Sequence, residues 1–468
     1  MALFRRHAEA MALLTFKASI FALVVLGATA ARDVVQEVTN WNTNISSADR
    51  DSKYCRMKKS PFIFYRGTNH LFWKDFAHDA RLDTYGSEET VTWIQGDLHV
   101  ENFGSFENDQ GQVIYSINDY DESIVADYQY DVWRMAISLV LWLNERNVTD
   151  QTTQDAVIDA FTESYLDTMA SYRGNSDETN KIFTKSNTYG KLDNFLNAVE
   201  KDESRQKMLA KWCLMSNGSR YFDLTYYKLE NASEVKKADI QAALDAYVAS
   251  TSYSNKGTGT GEYFDIKDIA KRVAAGTGSR GRERYYILVE GPSEDQDDDI
   301  ILDVKLQSHP TPYVYLVNDN TRADYDAHFH GNHAERHAVA YKALIDEADN
   351  HLGWMHLPNT SGGYFSVRER SPFKKTYDPD GDDSGVTNTG DYEELAAQWG
   401  AVLATAHARA DQDTNEYVTK SVDKQIDILT DGHHSEFRAQ VRHIAYDYAN
   451  QVVADYNTFV ANLARSSC

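Results

Sequence analysis

The sequence predicts an α+β protein with two lobes, in which a small strand-rich lobe is inserted into a larger helical lobe. The chain has 468 residues, of which 42% are hydrophobic, so it exceeds one ordinary domain and can bury a large core. Apolar residues recur at helical spacing over most of residues 131–248 and again from residue 392 to the end. Between these segments, short runs rich in β-branched and aromatic residues indicate strands. The helical lobe is therefore expected to be discontinuous in sequence.

Residues 1–30 have the pattern of a secretory signal. Arg5 and Arg6 precede an apolar stretch that only Lys17 interrupts, and the small residues at 28–30 suit signal peptidase. We therefore expect a protein that is secreted or enters the secretory pathway, with an uncleaved anchor as the alternative. No later segment has the ~20 consecutive apolar residues of a membrane span, so no span is expected after cleavage. Residues 31–54 are mostly polar and are expected to form an extended lead-in.

The composition of the chain bears on which partners and which covalent features can be expected. A net charge of −24 argues against nucleic acid, whose phosphates require a basic surface. The three cysteines lack the spacing of a zinc site and allow at most one disulfide. Five Asn-x-Ser/Thr sequons would accept glycans in a eukaryotic secretory pathway. They begin at Asn44, Asn147, Asn217, Asn231 and Asn359.

The first part of the helical lobe is assigned to residues 55–262. Strands are predicted at 91–95 and 113–117, with a turn at 108–111 between them. A buried helix is predicted at 131–143, and a flexible linker rich in Ser, Thr and Gly at 252–261.

The strand-rich lobe is assigned to residues 263–377. Its strands are predicted at 284–290, 300–307, 313–317 and 364–368, with one helix at 333–350. The acidic segment 292–299 is expected to be a solvated turn between two strands. A polar linker at 378–391 then leads into the C-terminal part of the helical lobe at 392–468.

Two acidic motifs follow predicted strands, where functional side chains gather in mixed α/β structures. In the first, Asn102 stands five positions after Asp97; in the second, Asp119 follows the next strand. Phosphoryl transfer to a hydroxyl uses such a set, because one carboxylate orients the hydroxyl proton while an amide oxygen and a second carboxylate hold Mg²⁺ against the phosphates. We therefore predict Asp97 as the catalytic base, with Asn102, Asp119 and Asp121 as metal ligands.

His99 and Arg66 complete the catalytic candidates. His99 lies within the first motif, and Arg66 follows an aromatic run at 62–65. An arginine here would order the carboxylates of the site or meet a substrate phosphate. A structural ion pair is the alternative for Arg66, and turn capping is the alternative for the Asp and Asn residues.

A glycine-rich segment leads into the predicted strand at 284–290. Its predicted phosphate-binding residues are Gly276, Gly278, Ser279 and Gly281. In a dinucleotide fingerprint such glycines open a helix, whereas kinases place a glycine loop and then a strand lysine over the ATP phosphates. Lys305 lies on the next predicted strand, and Glu335 in the following helix is predicted to position it. The sequence thus predicts Mg²⁺ and ATP as cofactors, bound between the lobes, and an acceptor that it does not identify.

The joint set of motifs resembles the family known as domain of unknown function 2252. The matched segments, within about residues 55–412, are 60–67, 96–104, 118–122, 131–138, 276–285, 304–305 and 406–409. The resemblance implies a protein-kinase-like or aminoglycoside-phosphotransferase-like fold with a permuted motif order. In ordinary kinases the glycine loop and lysine precede the catalytic Asp, whereas here they follow it.

Three alternatives to an active kinase stay open. The first is a pseudokinase that binds nucleotide without turnover, because Gln95 replaces a common His and the acidic loop 295–299 would repel phosphate if it folded inward. The second is a metal-dependent phosphoesterase, since His328, His330 and His333 cluster in sequence. The third is a non-catalytic secreted binding protein that holds Ca²⁺ as a structural ion.

Overall fold

The computed structural model describes residues 32–273, 282–316, 325, 327–379, 381, 385–411 and 418–463. The predicted signal at 1–30 and the predicted glycine loop at 276–281 lie outside these residues. Residues 1–44 and 45–468 form two compact units. The described part of the first unit contains helix α1, Val34–Trp41, which is capped by the Asp33 carboxylate; this group accepts a hydrogen bond from the Gln36 amide at 3.0 Å.

The second unit begins with short helices. They are α2 (Ser47–Met57), α3 (Pro61–Gly67) and α4 (Asn69–Phe76). The prediction that residues 31–54 are extended is wrong, because α1 and most of α2 lie there. Each of these helices begins at a capping side chain, Asp33 for α1 and Ser46 for α2. Such caps satisfy amide donors of the first helical turn, so a polar segment can be helical without a long apolar stripe.

Two antiparallel strand pairs and a long helix follow. They are β1 (Val91–Ile94), β2 (Phe103–Glu107), β3 (Val113–Ile117), β4 (Ile124–Asp127) and α5 (Gln129–Glu145), with a 3₁₀ turn at Val100–Asn102. β1 pairs with β4, and β2 pairs with β3. The predicted strands at 91–95 and 113–117 and the predicted helix at 131–143 are confirmed. Residues 129–143 of α5 are all buried, so the other elements surround this helix.

Helices dominate the next segment, with three short strands among them. The elements are α6 (Gln151–Tyr172), α7 (Gly190–Asp202), α8 (Arg205–Trp212), β5 (Cys213–Ser216), β6 (Ser219–Phe222), β7 (Leu229–Asn231) and α9 (Glu234–Ala249). β5 and β6 form a hairpin, and β7 is an edge strand of the sheet that follows.

A six-stranded antiparallel sheet forms the strand-rich segment. Its further elements are β8 (Ile266–Arg272), β9 (Arg284–Val289), β10 (Ile300–Leu306), α10 (Thr311–Tyr315), α11 (His333–Leu344), β11 (Gly353–Leu357) and β12 (Gly363–Glu369). The strand order is β11-β12-β10-β9-β8-β7. One face packs against α9, with Leu302 of β10 and Leu244 of α9 in the same core. Because side chains alternate along a strand, Asp303 and Lys305 lie on the opposite face.

Two secondary-structure predictions for this segment need correction. Residues 313–317 do not form the predicted strand, since Thr311–Tyr315 is helical with Pro312 in its first turn. Proline suits that position because its missing N–H has no helical partner there in any case. The predicted helix at 333–350 ends at Leu344.

The acidic turn at 292–299 is only partly solvated, contrary to the prediction. Asp299 is fully buried, with Lys267 at 2.5 Å and Arg220 at 3.1 Å. The two cations offset the cost of burying the carboxylate. The turn is therefore anchored to the sheet rather than folded toward Lys305.

The C-terminal part is helical, as predicted. Its elements are β13 (Lys375–Thr376), α12 (Thr389–Arg409), α13 (Val422–Thr430) and α14 (His434–Asn462). β13 pairs with β2, which brings the chain back from the sheet to the first strand pairs. A Cβ on Gly400 of α12 would lie 2.2 Å from the Phe161 carbonyl oxygen of α6, so glycine permits this close packing. Within the described ranges, no helix has the length and apolarity needed to cross a bilayer.

Candidate functional site

The two acidic motifs form adjacent loops. The first acidic loop (residues 95–102) joins β1 to β2, and the second acidic loop (residues 118–123) joins β3 to β4. The Asn118 amide donates to the Asn102 carbonyl at 2.9 Å. The Gln95 side chain also bridges the loops, because it donates to the Asp119 carbonyl at 3.0 Å and accepts from the Asp97 amide at 2.8 Å. Gln95 is thus a structural link between the loops.

A buried carboxylate on α5 fixes the start of the first acidic loop. The Asp131 side chain accepts hydrogen bonds from the amides of Gln95 at 2.6 Å and Gly96 at 2.9 Å. His407 of α12 lies 3.3 Å from the same carboxylate, and Tyr165 lies 2.9 Å from the other ring nitrogen of His407. The segments 131–138 and 406–409 of the family resemblance therefore meet behind this loop.

Gly96 is required where the two loops touch. Its φ is +83°, and a Cβ there would lie 2.2 Å from the Glu122 carbonyl oxygen. The Gly96 carbonyl accepts hydrogen bonds from Asn69 at 3.0 Å and Trp73 at 2.9 Å. A larger residue would have to displace the second acidic loop.

Asp97 has the properties of a base that operates near neutral pH. It pairs with Arg134, which is fully buried and lies over the Tyr65 ring at 4.2 Å. Burial raises the pKa of Asp97 to about 7; Arg134 opposes this shift, and Glu122 and Asp119 reinforce it. A carboxyl whose pKa lies near the working pH is suited to accept a proton in catalysis.

His99 and Arg66 are placed differently from the prediction that they are catalytic. The His99 ring accepts from the Glu101 amide at 3.2 Å and caps the 3₁₀ turn. Burial lowers the pKa of His99 well below its ordinary value, and Arg66 and Arg134 lower it further. Arg66 pairs with Glu101. Both residues therefore stabilise the first acidic loop rather than face a reacting group.

Lys305 of β10 reaches the second acidic loop, on Asp121. The two side chains form an ion pair across 184 residues of sequence. Gln307 donates to the other Asp121 oxygen at 3.0 Å, and Arg282 lies 3.9 Å from the carboxylate. Burial disfavours the charged form, but Lys305, His337 and Arg282 together hold the pKa of Asp121 well below its ordinary value. In the structure Asp121, which was predicted as a metal ligand, is the ion-pair partner of Lys305.

Glu335 does not contact Lys305 in the structure. It lies in the first turn of α11, where its amide donates to Asn332 at 3.1 Å and its carboxylate accepts from the Asn332 side chain at 3.1 Å. The structure therefore does not bring Glu335 to Lys305, and the carboxylate in contact with the lysine is that of Asp121.

The next residue of α11, Arg336, holds the second acidic loop. It is fully buried and donates to the carbonyls of Tyr120 at 2.9 Å, Asp121 at 2.7 Å and Ser123 at 2.9 Å. One turn further on, Tyr341 stacks on Tyr120 with centroids 4.3 Å apart. One feature of the sequence could have indicated a role for Arg336: it is a charged residue within a segment whose helical pattern predicts burial.

Lys53 of α2 is a second residue that sequence reasoning missed. It is buried, with 7% of its surface exposed. Burial and Arg282 lower its pKa to about 8, while Glu122 and Asp97 oppose the shift. Its ammonium group therefore lies in the electrostatic neighbourhood of both acidic loops, although α2 belongs to no motif.

Asp119 and Asn102 each carry an oxygen of the type that binds Mg²⁺. Mg²⁺ is commonly held by one or two carboxylates together with substrate phosphates. The Asp119 side chain is half-buried, and the Asn102 amide oxygen accepts one hydrogen bond, from the His99 amide at 3.1 Å. An amide oxygen has a second lone pair for a metal. Asp121 is the ion-pair partner of Lys305, so Asp119 and Asn102 are the predicted metal ligands that this ion pair does not involve.

The histidines that suggested a metal-dependent hydrolase do not join the acidic loops. His328 and His330 are exposed, and His333 bonds to the hydroxyl of Tyr325 at 2.8 Å. Three groups of potential metal ligands occur among the described residues, and none includes an acid of either loop.

Comparison with known proteins identifies one family. The family model described as "Uncharacterized protein conserved in bacteria (DUF2252)" matches residues 48–462. No curated protein and no solved structure matches the chain. Because the match spans most of the sequence, from α2 to the end of α14, the chain belongs to the DUF2252 family.

Proposed function

We propose that the protein is a two-lobed, kinase-like phosphotransferase that moves a phosphoryl group from Mg-ATP to a hydroxyl acceptor. The observation that carries this proposal is the ion pair between Lys305 and Asp121. It joins the six-stranded sheet to the second acidic loop, beside the first acidic loop with Asp97.

The order of elements around the site supports the proposal. Between β8 and β9 lies the glycine-rich segment 276–281, outside the described residues; β10 then carries Lys305, and α11 follows. Kinases use the same order of glycine loop, lysine strand and helix. The two acidic loops match the catalytic loop and the metal-binding segment of kinases in spacing. Only the order of the two blocks along the chain is permuted.

Each residue then has a defined task. Asp97 would take the proton of the acceptor hydroxyl. At the same time the hydroxyl oxygen would bond to the γ-phosphorus of ATP, and the bond from that phosphorus to the leaving oxygen of ADP would break. Lys305 would donate to the phosphates, oriented by Asp121. Asp119 and Asn102 would hold Mg²⁺, which neutralises charge that develops on the phosphate oxygens.

We also propose that the protein is exported. Cys55 is disulfide-bonded, which fits an oxidising compartment better than the cytosol. Cys213 is a free, buried thiol, and Cys468 lies outside the described residues. The disulfide agrees with the signal pattern at 1–30.

Thermal stabilisation by Mg-ATP tests the nucleotide assignment, since a ligand that binds the folded state raises the unfolding temperature. We expect a shift for the wild type, and a much smaller shift for Lys305→Met and Asp119→Asn. Lys271→Met is the matched control, because Lys271 lies on β8 of the same sheet and pairs with Glu230 at the surface. No shift for folded wild-type protein at millimolar Mg-ATP would refute nucleotide binding.

Turnover separates an active kinase from a pseudokinase. The wild type should consume ATP, whereas Asp97→Asn should bind Mg-ATP with similar affinity and lose turnover. If the wild type binds without any turnover across a panel of hydroxyl acceptors, the pseudokinase alternative holds. A tightly bound transition metal in purified protein, with phosphoesterase activity, would instead favour the hydrolase.

A further inference from the structure

A cavity of about 210 Å³ lies beside the second acidic loop. Arg368 of β12 and Lys374, which follows that strand, line it together with Asn118 and Tyr341. Both cations are half-buried. In the part of the chain that the structure describes, neither cation has a carboxylate oxygen within 4.0 Å. Two positive side chains thus line one cavity without an ion-pair partner among the described residues.

The charges around these two cations are unbalanced. Arg284 adds a third cation, but it is bound to Asp303 with Nε–Oδ1 at 2.6 Å. Burial lowers the pKa of Lys374 well below its ordinary value, and Arg368 and Arg284 lower it further. Asp303 and Asp119 shift it in the opposite direction. Unpaired charge in a buried place is costly unless an opposite charge joins it. Asp303 and Asp119 therefore offset the three cations only in part.

The carboxylates that line the same cavity have partners of their own. Glu369 pairs with Arg205 at 2.6 Å, and Asp349 pairs with His351 at 3.0 Å. Burial raises the pKa of Glu107, and the charges of Glu369 and Asp349 raise it further, whereas Arg205 opposes the shift.

The other two acidic residues that line the cavity, Asp109 and Asp298, also interact with residues other than Arg368 and Lys374. Asp109 interacts with Glu347 and Asp346. Asp298 accepts a hydrogen bond from Ser293 at 2.6 Å. None of the described carboxylates that line the cavity thus lies within 4.0 Å of the charged groups of Arg368 or Lys374.

We propose that Arg368 and Lys374 form a subsite for a phosphate group. An arginine offers a planar fork of donors and a lysine a compact point charge, and both are common phosphate binders. The phosphate would belong either to the proposed nucleotide or to a separate phosphorylated ligand. Asn118, which lines the cavity, directly precedes Asp119, so the subsite borders the proposed metal site. The subsite does not depend on the proposed function, because inorganic phosphate alone can test it.

The experiment is a titration of thermal stability with inorganic phosphate, against sodium chloride at matched ionic strength. We expect phosphate to stabilise the wild type more than chloride does. Arg368→Met and Lys374→Met should each raise the half-saturating phosphate concentration at least about tenfold, as loss of a charged hydrogen bond does. Lys375→Met is the matched control, since Lys375 is the exposed neighbour of Lys374, and it should bind as the wild type does.

The same variants titrated with Mg-ATP separate the two sources of the phosphate. A parallel loss of Mg-ATP affinity would assign the subsite to the nucleotide, and unchanged Mg-ATP affinity would assign it to a separate phosphorylated ligand. If Lys374→Met does not fold, Lys374→Arg should fold and retain phosphate binding. The proposal is overturned if phosphate stabilises the wild type no more than chloride, or stabilises Arg368→Met and Lys374→Met as strongly as the wild type. Neither result would bear on Mg-ATP binding at Lys305.

Discussion

The ion pair between Lys305 and Asp121 gives the most direct test of how the sheet is joined to the loops. Its side chains are 14% and 11% exposed. Removing one partner of a buried pair costs about 3–5 kcal/mol, because the other charge is left without compensation. In Lys305→Met, Gln307 would remain at 3.0 Å and Arg282 at 3.9 Å from Asp121. We therefore expect a smaller loss of unfolding free energy, about 2–3 kcal/mol.

A double-mutant cycle isolates the pair. Asp121→Asn should lower stability as well, but the double variant should be about 1–3 kcal/mol more stable than the sum of the two single losses. Chemical denaturation at neutral pH measures all four proteins. Lys271→Met is again the control, because its pair with Glu230 has side chains 43% and 58% exposed. An exposed pair of that kind is worth at most about 1 kcal/mol.

The direction of the pKa shift of Asp121 determines how the stability contributed by the pair changes with pH. The folded-state pKa of Asp121 lies below its ordinary value of 3.8, so the pair stabilises the protein above that pH. This stability is lost as the pH falls through the folded pKa. The deficit of Lys305→Met should therefore be full at neutral pH and shrink in acid. Additive losses within about 0.5 kcal/mol at neutral pH would refute the reasoning, since independent sites behave that way.

Three further predictions concern the loops and the cysteines. ATP turnover should rise as the pH passes through about 7, because Asp97, whose pKa is about 7, accepts a proton only when ionised; a rate that is flat between about pH 6 and 8 would contradict this. Arg336→Met should abolish the Mg-ATP shift in melting temperature, because Arg336 holds the second acidic loop. The control is Arg146→Met, which loses a hydrogen bond to the carbonyl of Val386 at 2.8 Å and should lower only the melting temperature itself. A normal Mg-ATP shift in Arg336→Met would contradict the role of α11. Unfolded, unreduced protein should take a thiol label on Cys213 and none on Cys55, and in the native protein Cys213 should label very slowly, since burial raises the pKa of Cys213 to about 12; a label on Cys55 in the unreduced protein would show that it is not disulfide-bonded.

The sequence predicted the parts of the site whose local pattern is strong. The runs that became β1, β3, β9 and β10 are short, rich in β-branched and aromatic residues, and bounded by turn residues. The helix predicted at 131–143 was equally clear from its apolar spacing. The pattern placed each acidic motif after a strand, but β1 and β3 lie in different sheets, so the contact between the two loops could not be read from the strands alone. Long-range contacts such as that of Lys305 could only be inferred from the chemistry of the motifs.

Side-chain direction on α11 could not be read from the sequence. Successive residues of a helix differ by about 100° in direction. Glu335 and Arg336 therefore point differently, and only the packing of α11 decides which of them faces the second acidic loop. The same limit applies to Lys53, whose helix α2 has a mostly polar sequence with no marked inner face. Tertiary context, rather than propensity, placed both cations in the site.

The pairing of Lys305 with Asp121 is compatible with the proposed binding of nucleotide by the lysine. An ammonium group has three donors, and Asp121 uses one of them. Lys305 can therefore donate to a phosphate while Asp121 keeps its orientation, which is the task that a helix carboxylate performs in kinases. Asp97 differs, because its carboxylate is shared with Arg134 and its pKa is near 7. The pKa of one carboxylate is thus held low and that of the other is raised to near neutrality, which is the difference that the proposed proton transfer to Asp97 requires.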